Sequence, residues 1–279
     1  MTRTVRGARV LITGAASGMG RSYAERAVAE GAASVTLWDL DALGLARIAD
    51  ALGGASRGRT KVSSYVVDVA DLGSIAKHAQ KTRREVGNPD VLINNADVVR
   101  GNRYFWETDN GDDTRATMQV NALAPMYIAR EFLPGMIAAA YRDSRIVNVA
   151  SAAGTFGNPR MAAYAASKAA VIGWSDSLRI ELEQAGHTNV KVLTVTPSYI
   201  ATGRFAGATG QPLAPVLDPD YVVDQVWRAM LRGDPLLELP GSVRFSRVLR
   251  AILPTRVFDA VVGDGFGVYR SMARLTGRR

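Results

Sequence analysis

Short runs rich in Val, Ile and Leu alternate with longer stretches of helical periodicity along most of the chain. ARVLI at 8–12 predicts a buried strand, followed by a glycine turn and a helix over 18–30. SVTLWD at 34–39 predicts a second strand, with a helix near 41–52 after it. VSSYVVD predicts a third strand ending at Asp68, then a helix over 71–86. VLIN at 91–94 and RIVNVAS at 145–151 predict the fourth and fifth strands, separated by a long helical region over 112–140. A helix over 161–185 precedes a sixth strand, VKVLTVT at 190–196, and the pattern ends with a helix over 219–232 and a short LLELP strand. Continuous apolar runs with helices between them predict a parallel sheet covered on both faces. Repeated right-handed crossovers make that a doubly wound α/β fold of three layers. There is no repeat at a period of 20–50 residues and no low-complexity linker. The compositional break falls near Pro240, dividing a body over 1–240 from an appendage over 241–279.

Composition narrows the chemistry. Of 279 residues, 47% are hydrophobic and 22% charged, a globular balance able to bury a full core without staples. The chain has no cysteine, which excludes a disulfide framework, a thiolate zinc site and a cysteine nucleophile, and is compatible with a reducing cytoplasm. Its two histidines, His78 and His187, are far apart, match no motif and are expected at the surface, so no multi-histidine metal site is expected. The formal charge of +8 invites a nucleic-acid or anionic-membrane reading. Residues 241–279, however, hold eight arginines against Asp259 and Asp264, so +6 lies in the appendage and +2 in the body. A body of +2 without an aromatic and basic groove gives no support for nucleic acid. Arg3, Arg6 and Arg9 before VLITGAASGMG imitate a secretory signal, but the stretch is short and glycine-broken and fits a first strand and phosphate loop better.

That loop reads Thr13-Gly14-Ala15-Ala16-Ser17-Gly18-Met19-Gly20, between a predicted strand and a predicted helix. Glycines there allow a tight turn and close approach of backbone to a pyrophosphate, and the helix N-terminus offers free N–H groups and a positive dipole end. The spacing departs from G-x-G-x-x-G, so alone it is also consistent with a ligand-free glycine turn. Asp39 closes the second strand, 19 residues past Gly20, where a carboxylate accepts both hydroxyl hydrogens of an adenosine ribose. A 2′-phosphate would meet that carboxylate with like-charge repulsion, and no Lys or Arg lies between Ala15 and Met19 to compensate. This favours NAD(H) over NADP(H). The alternative is a surface acid capping the helix that begins at 41.

Taken together, TGAASGMG, Asp68-Val69, Asn94-Asn95-Ala96, Asn121 in VNALAP, Ser151, Tyr164-x-x-x-Lys168 and Pro197 through Thr202 resemble the short-chain dehydrogenase/reductase family over about residues 8–240. The resemblance implies a Rossmann-like fold binding NAD through Gly14, Ser17, Gly18, Met19 and Gly20. It also implies that Asp68 and Val69 hold the adenine, that Asn95 lies along the cofactor, and that Pro197, Ile200 and Thr202 flank the nicotinamide, with Ile200 and Thr202 beside its carboxamide. Tyr164 and Lys168 are four apart on one predicted helix and share a face. A phenol is a poor base at neutral pH, but a neighbouring ammonium and a positive nicotinamide favour phenolate, so Tyr164 is the expected acid/base. Ser151 is placed to hydrogen-bond the same substrate oxygen. Asn121 is expected to hold a water near Lys168, from which the resemblance implies a proton relay, and Lys168 is expected to bond the nicotinamide ribose. Read singly, each has a plainer role: Tyr164 and Lys168 a packing pair, Ser151 a cap, Asn121 a buried amide. Two positions depart from the family pattern. Asp97 and Ser198 stand where glycine is usual, and both flank the expected nicotinamide pocket.

The segment RFAGATGQPLAPVL after Thr202 suits a lid over the substrate. The stretch 97–108, with Tyr104, Phe105 and Trp106, is expected to form another wall, or alternatively to pack in the core or a subunit contact. Apolar residues dominate both and no arginine clamp is evident, so the expected substrate is a lipophilic secondary alcohol or ketone, steroid-like or otherwise hydrophobic. In the appendage Phe245, Val248, Leu249, Ile252 and Leu253 follow helical spacing beside Arg244, Arg247 and Arg250, ended by Pro254. Such a basic amphipathic helix packs on its own body or a partner subunit, or lies on an anionic membrane. The resemblance further implies a homo-oligomer paired through the helices near 112–140 and 161–185. The rival reading is a non-catalytic dinucleotide-binding sensor or scaffold docking through its basic tail, which Asp97 and Ser198 support and the intact Asn121, Ser151, Tyr164 and Lys168 set opposes.

Overall fold

The structure, a computed structural model, describes residues 4–202, 215–267 and 269. Seven strands form one parallel sheet: β1 (Arg9–Thr13), β2 (Ser34–Asp39), β3 (Lys61–Val66), β4 (Val91–Asn94), β5 (Ser144–Val149), β6 (Val190–Pro197) and β7 (Leu236–Leu239). Their order across the sheet is β3-β2-β1-β4-β5-β6-β7. This is the doubly wound, Rossmann-like architecture. The third strand stops at Val66, two residues short of the expected end, which leaves Asp68 in the loop beyond it.

Alternation along the strands sends successive side chains to opposite faces of the sheet. Val10 and Ile12 of β1 and Val91 and Ile93 of β4 enter one core. Helices α1 (Gly18–Ala29), α2 (Ala42–Ser56) and α7 (Pro219–Arg232) cover it through residues such as Ala24, Ile48 and Trp227. Leu11 and Leu92 point the other way, into a core closed by α3 (Leu72–Glu85), α5 (Ala124–Ala138) and α6 (Ala162–Gln184) through Ile75, Phe132 and Leu182. Both faces are therefore covered, which is why these strands read as unbroken apolar runs.

The long helical region begins at Asn110 rather than 112 and is not uniform. Wide π-type turns at Asn110–Arg115 and Gln119–Leu123 flank a single α-turn, α4 (Ala116–Met118), before α5 begins. In the appendage, α8 (Gly241–Ile252) and the short α9 (Thr255–Phe258) follow β7, and a further π-type segment runs over Asp259–Gly265. Pro254 separates α8 from α9, as expected of a residue that cannot continue a helix.

The strand order reverses between β1 and β4. Crossovers leave in opposite directions at that point, so the loops after the two strands part and open a crevice at their carboxyl ends. The loops after β5 and β6 reach the same edge of the sheet. Residues 14–17, 95–99, 150–155 and 198–202 are thereby gathered from four separate parts of the chain.

Candidate active site

One cleft of about 450 Å³ opens at this edge, bordered by Gly14, Ser17, Gly18 and Met19 after β1, Asn95, Asp97, Val98 and Val99 after β4, and Val149 at the end of β5 with Ala150 and Ser151 after it. Tyr164 and Lys168 of α6, Pro197 at the end of β6, and Ser198, Ile200 and Thr202 after it complete the cleft.

The β1 loop is shaped by what cannot fit. Gly14 has φ +65°, and a Cβ there would sit 2.9 Å from the Ala96 Cα. A Cβ on Gly20 would lie 2.0 Å from the Gly14 carbonyl oxygen. The loop thus folds tightly onto the first turn of α1, leaving its backbone open towards the cleft. Ser17 precedes α1 in an extended conformation and its side chain caps none of the helix N–H groups. Asn95 pins the loop from β4, its Nδ2 donating to the Thr13 and Gly14 carbonyls at 3.0 and 3.2 Å. Thr13 Oγ1 accepts in turn from the backbone N–H of Asn95, at 3.0 Å.

Asp39 lies at the end of β2, on the far side of this loop. Its Oδ2 accepts from the Ala16 N–H at 2.9 Å and its Oδ1 from the Asp41 N–H at 3.0 Å. The helix cap is its neighbour Asp41, which accepts from the Gly44 N–H at 3.0 Å. Asp39 is therefore not the capping acid of α2. Asp39, Asp68 and Val69 do not border the cleft itself. Asp68 is exposed and accepts from the Ala70 N–H at 2.8 Å, while Val69 is buried against the core.

Lys168 is among the most buried charged side chains, its side chain only 2% exposed. Its ammonium donates to the Val149 carbonyl at 3.0 Å and lies 2.7 Å from Asp97 Oδ1 in an ion pair. The same ammonium sits 5.4 Å from the centre of the Tyr164 ring, as the four-residue spacing on α6 requires. Asp97 thus turns inward onto Lys168. Tyr164 is buried with Met161 and Tyr199, and Val99 and Ala153 pack beside them. Tyr199 and Asn158, neither apparent from the sequence, form a buried pair, Asn158 Nδ2 donating to the Tyr199 hydroxyl at 2.8 Å. Ser151 stands in extended backbone after β5, where its Oγ accepts from the Ala153 N–H at 3.2 Å.

Asn121 occupies the second π-type turn and is fully buried. Its side chain clamps the cleft wall at two points: Oδ1 accepts from the Val98 N–H and Nδ2 donates to the Val98 carbonyl, both at 2.8 Å. The amide expected to hold a water is thus engaged with backbone. Ser198 is buried, its Oγ donating to the Pro215 carbonyl and its N–H to the Leu239 carbonyl, each at 2.7 Å. The hydroxyl that stands there in place of glycine thus links the end of β6 to the chain at Pro215.

Tyr104, Phe105 and Trp106 do not form the expected wall. They are exposed, Tyr104 and Trp106 stacking on each other at 4.9 Å with the Arg160 guanidinium 5.0 Å from the Tyr104 ring. Val98 and Val99 take that place because the chain turns outward beyond them. Of the expected lid, residues 204–214 lie outside the described residues. His78 and His187 are half-buried rather than exposed, and neither borders the cleft.

The chain is similar to known proteins over most of its length. Human estradiol 17-beta-dehydrogenase 11 is 34% identical over 272 residues, covering 94% of this chain and 88% of that protein. Mouse epidermal retinol dehydrogenase 2 is 33% identical over 286 residues, covering 99% and 88%. A crystal structure of a short chain dehydrogenase/reductase from Burkholderia phymatum in complex with NAD superposes with a TM-score of 0.79 at 26% identity, covering 89% of this chain and 94% of that one. A metagenomic short-chain oxidoreductase in complex with NADP superposes with a TM-score of 0.70 at 28% identity, covering 85% and 97%. The short chain dehydrogenase family matches residues 8–211. On the match, the sheet order and the cleft together, the chain belongs to the short-chain dehydrogenase/reductase family of oxidoreductases.

Proposed function

We propose that the protein is an NAD-dependent dehydrogenase/reductase that interconverts a lipophilic secondary alcohol and its ketone. The observation that carries this reading is the single cleft bordered both by the Gly14–Met19 loop and by Ser151, Tyr164 and Lys168. The loop fits a dinucleotide. Gly14 and Gly20 leave no room for a side chain, and the first turn of α1 has neither a side-chain cap nor an acidic residue. Its N–H groups and the positive end of its dipole suit a pyrophosphate. When bound, the nicotinamide supplies hydride exchange with the carbinol carbon.

The chain's own part is binding, orientation and proton transfer. Tyr164 exchanges a proton with the substrate oxygen. The Lys168 ammonium beside its ring favours the phenolate. The Ser151 hydroxyl donates to the same oxygen and stabilises its developing charge. In this reading Asn121 is a positioning residue, acting through the Val98 backbone it clamps. Val98, Val99 and Ile200 along the cleft favour an apolar substrate, in keeping with the names of the estradiol and retinol dehydrogenases among the relatives. Asp39 favours NAD, because a 2′-phosphate would meet its carboxylate without a compensating cation on the neighbouring loop. Solved relatives hold either dinucleotide, so the cofactor preference rests on this residue.

The test is turnover on a panel of hydrophobic secondary alcohols with NAD+, for the parent and for Tyr164→Phe. Removing a general acid/base lowers kcat by about 10²–10⁴-fold. Wild-type turnover by the Phe variant would refute the role of Tyr164. Tighter binding of NADPH than NADH would refute that of Asp39. Tight dinucleotide binding without turnover on any substrate would favour the scaffold reading.

A further inference from the structure

The appendage has two faces, and among the described residues one of them is packed while the other is exposed. On the inner face Val243 and Ser246 of α8 are buried, and Leu249 and Leu253 pack on Phe258 and Val262. Phe156 joins this cluster, its ring 5.9 Å from that of Phe258. On the outer face Phe245, Val248 and Ile252 are 54%, 48% and 69% exposed, at positions that form one stripe along the helix. Val257 and Val261, four apart on the next helical segments, are also more than two-fifths exposed, at 44% and 42%.

Charge accompanies this apolar surface. Arg244 and Arg256 are exposed, and neither is drawn into an ion pair among the described residues. Arg247 is held by Glu238 at 2.9 Å, and the Arg250 guanidinium covers the Phe258 ring at 5.3 Å. Two acids, Asp259 and Asp264, lie in the same part of the chain, which over 241–279 carries a net +6.

We propose that the outer face of α8 and the segment after it docks on an anionic lipid bilayer. A stripe of exposed Phe, Val and Ile beside the exposed guanidinium groups of Arg244 and Arg256 matches a surface that is apolar inside and negative at its headgroups. A second copy of this chain matches it poorly. An isologous contact would bring the same stripe together with its own arginines, placing like charges opposite one another. No described helix is long and apolar enough to cross a membrane, so the contact is peripheral. Phe156 belongs to the segment between Ser151 and Tyr164, so the appendage is packed on the part of the chain that carries both residues. The inference stands on this surface and not on the reaction assigned to the cleft.

The experiment is co-sedimentation of the full chain with vesicles of phosphatidylglycerol mixed with phosphatidylcholine, and with phosphatidylcholine alone. Binding is expected to the mixed vesicles, weakening as salt is raised. Two variants touch different atoms of the face: Phe245→Ser with Ile252→Ser, and Arg244→Glu with Arg256→Glu. Each is expected to weaken binding roughly tenfold or more, with the melting transition unchanged. The proposal is overturned by absence of binding to the mixed vesicles, or by binding that neither variant alters. It is also overturned if the parent forms a concentration-dependent dimer that both variants dissociate, since the face then belongs to a second copy.

Discussion

Replacing Asp97 by Asn measures what the buried pair with Lys168 contributes. The two side chains are 9% and 2% exposed, with charged atoms 2.7 Å apart. Asn keeps the shape and removes the charge, leaving the Lys168 ammonium buried against the neutral Val149 carbonyl. Removing one partner of a buried pair costs about 3–5 kcal/mol, because the other charge is left uncompensated. This pair borders a cleft of about 450 Å³, roomy enough to admit water, which places the loss at the low end. A loss of about 3 kcal/mol lowers Tm by roughly 6–12 °C for a chain of this size. A cycle with Lys168→Met isolates the pair from every other contact of Asp97: each single variant destabilises, and the double variant recovers about 2 kcal/mol of the summed loss. Thermal and urea unfolding of the four proteins without dinucleotide supply the numbers. A loss for Asp97→Asn below about 0.5 kcal/mol, with additive behaviour in the double variant, would mean that the ammonium is solvated rather than compensated by Asp97.

Two further outcomes follow from contacts elsewhere. Gly20→Ala drives a Cβ to 2.0 Å from the Gly14 carbonyl oxygen, so the loop must open, and titration with NADH should show affinity reduced by more than about tenfold. An unchanged affinity would show that the loop is not the dinucleotide cradle. Asp224 of α7 lies between Arg26 of α1 and Arg228, at 3.0 Å from each, and the Arg26 hydrogen bond holds its carboxyl below the ordinary carboxylate range. A carboxyl lowered on folding stabilises above its unfolded pKa and loses that contribution as pH falls through the folded value. Asp224→Asn should therefore cost less than about 1 kcal/mol at neutral pH, and the gap should close below about pH 4 in urea titrations. A gap that persists in acid would assign the loss to packing.

The chain's periodicity made much of the fold legible. The strand cores at 8–12, 34–39, 91–94 and 190–196 are largely apolar because they are buried on both faces of the sheet. The loop after β1 was legible for a similar reason: its glycines answer to local crowding within a few residues. Tyr164 and Lys168 were legible as a pair because helix geometry alone brings residues four apart together. Contacts between distant segments carried no such signal. The Asn121 clamp on Val98 spans 23 residues and the Tyr199–Asn158 pair spans 41, and nothing in either local pattern marks them. The aromatic run at 104–106 misled because an apolar composition says nothing of which way a loop turns.

The sequence by itself determined the order of strands and helices, the glycine loop at the first turn and the spacing of the Tyr and Lys on one helix. These are set by steric limits and periodicities that act over a few residues. Only the tertiary structure decided what surrounds them: that Asp97 turns onto Lys168, that Asn121 holds backbone, and that one face of the basic helix packs while the other stays open. The first two outcomes depend on the reversal of strand order between β1 and β4, which gathers four distant loops at one edge of the sheet; the third depends on the packing of α8 against Phe258 and Val262. Burial there leaves a charge or an amide to find its partner among whatever groups the topology has brought within reach.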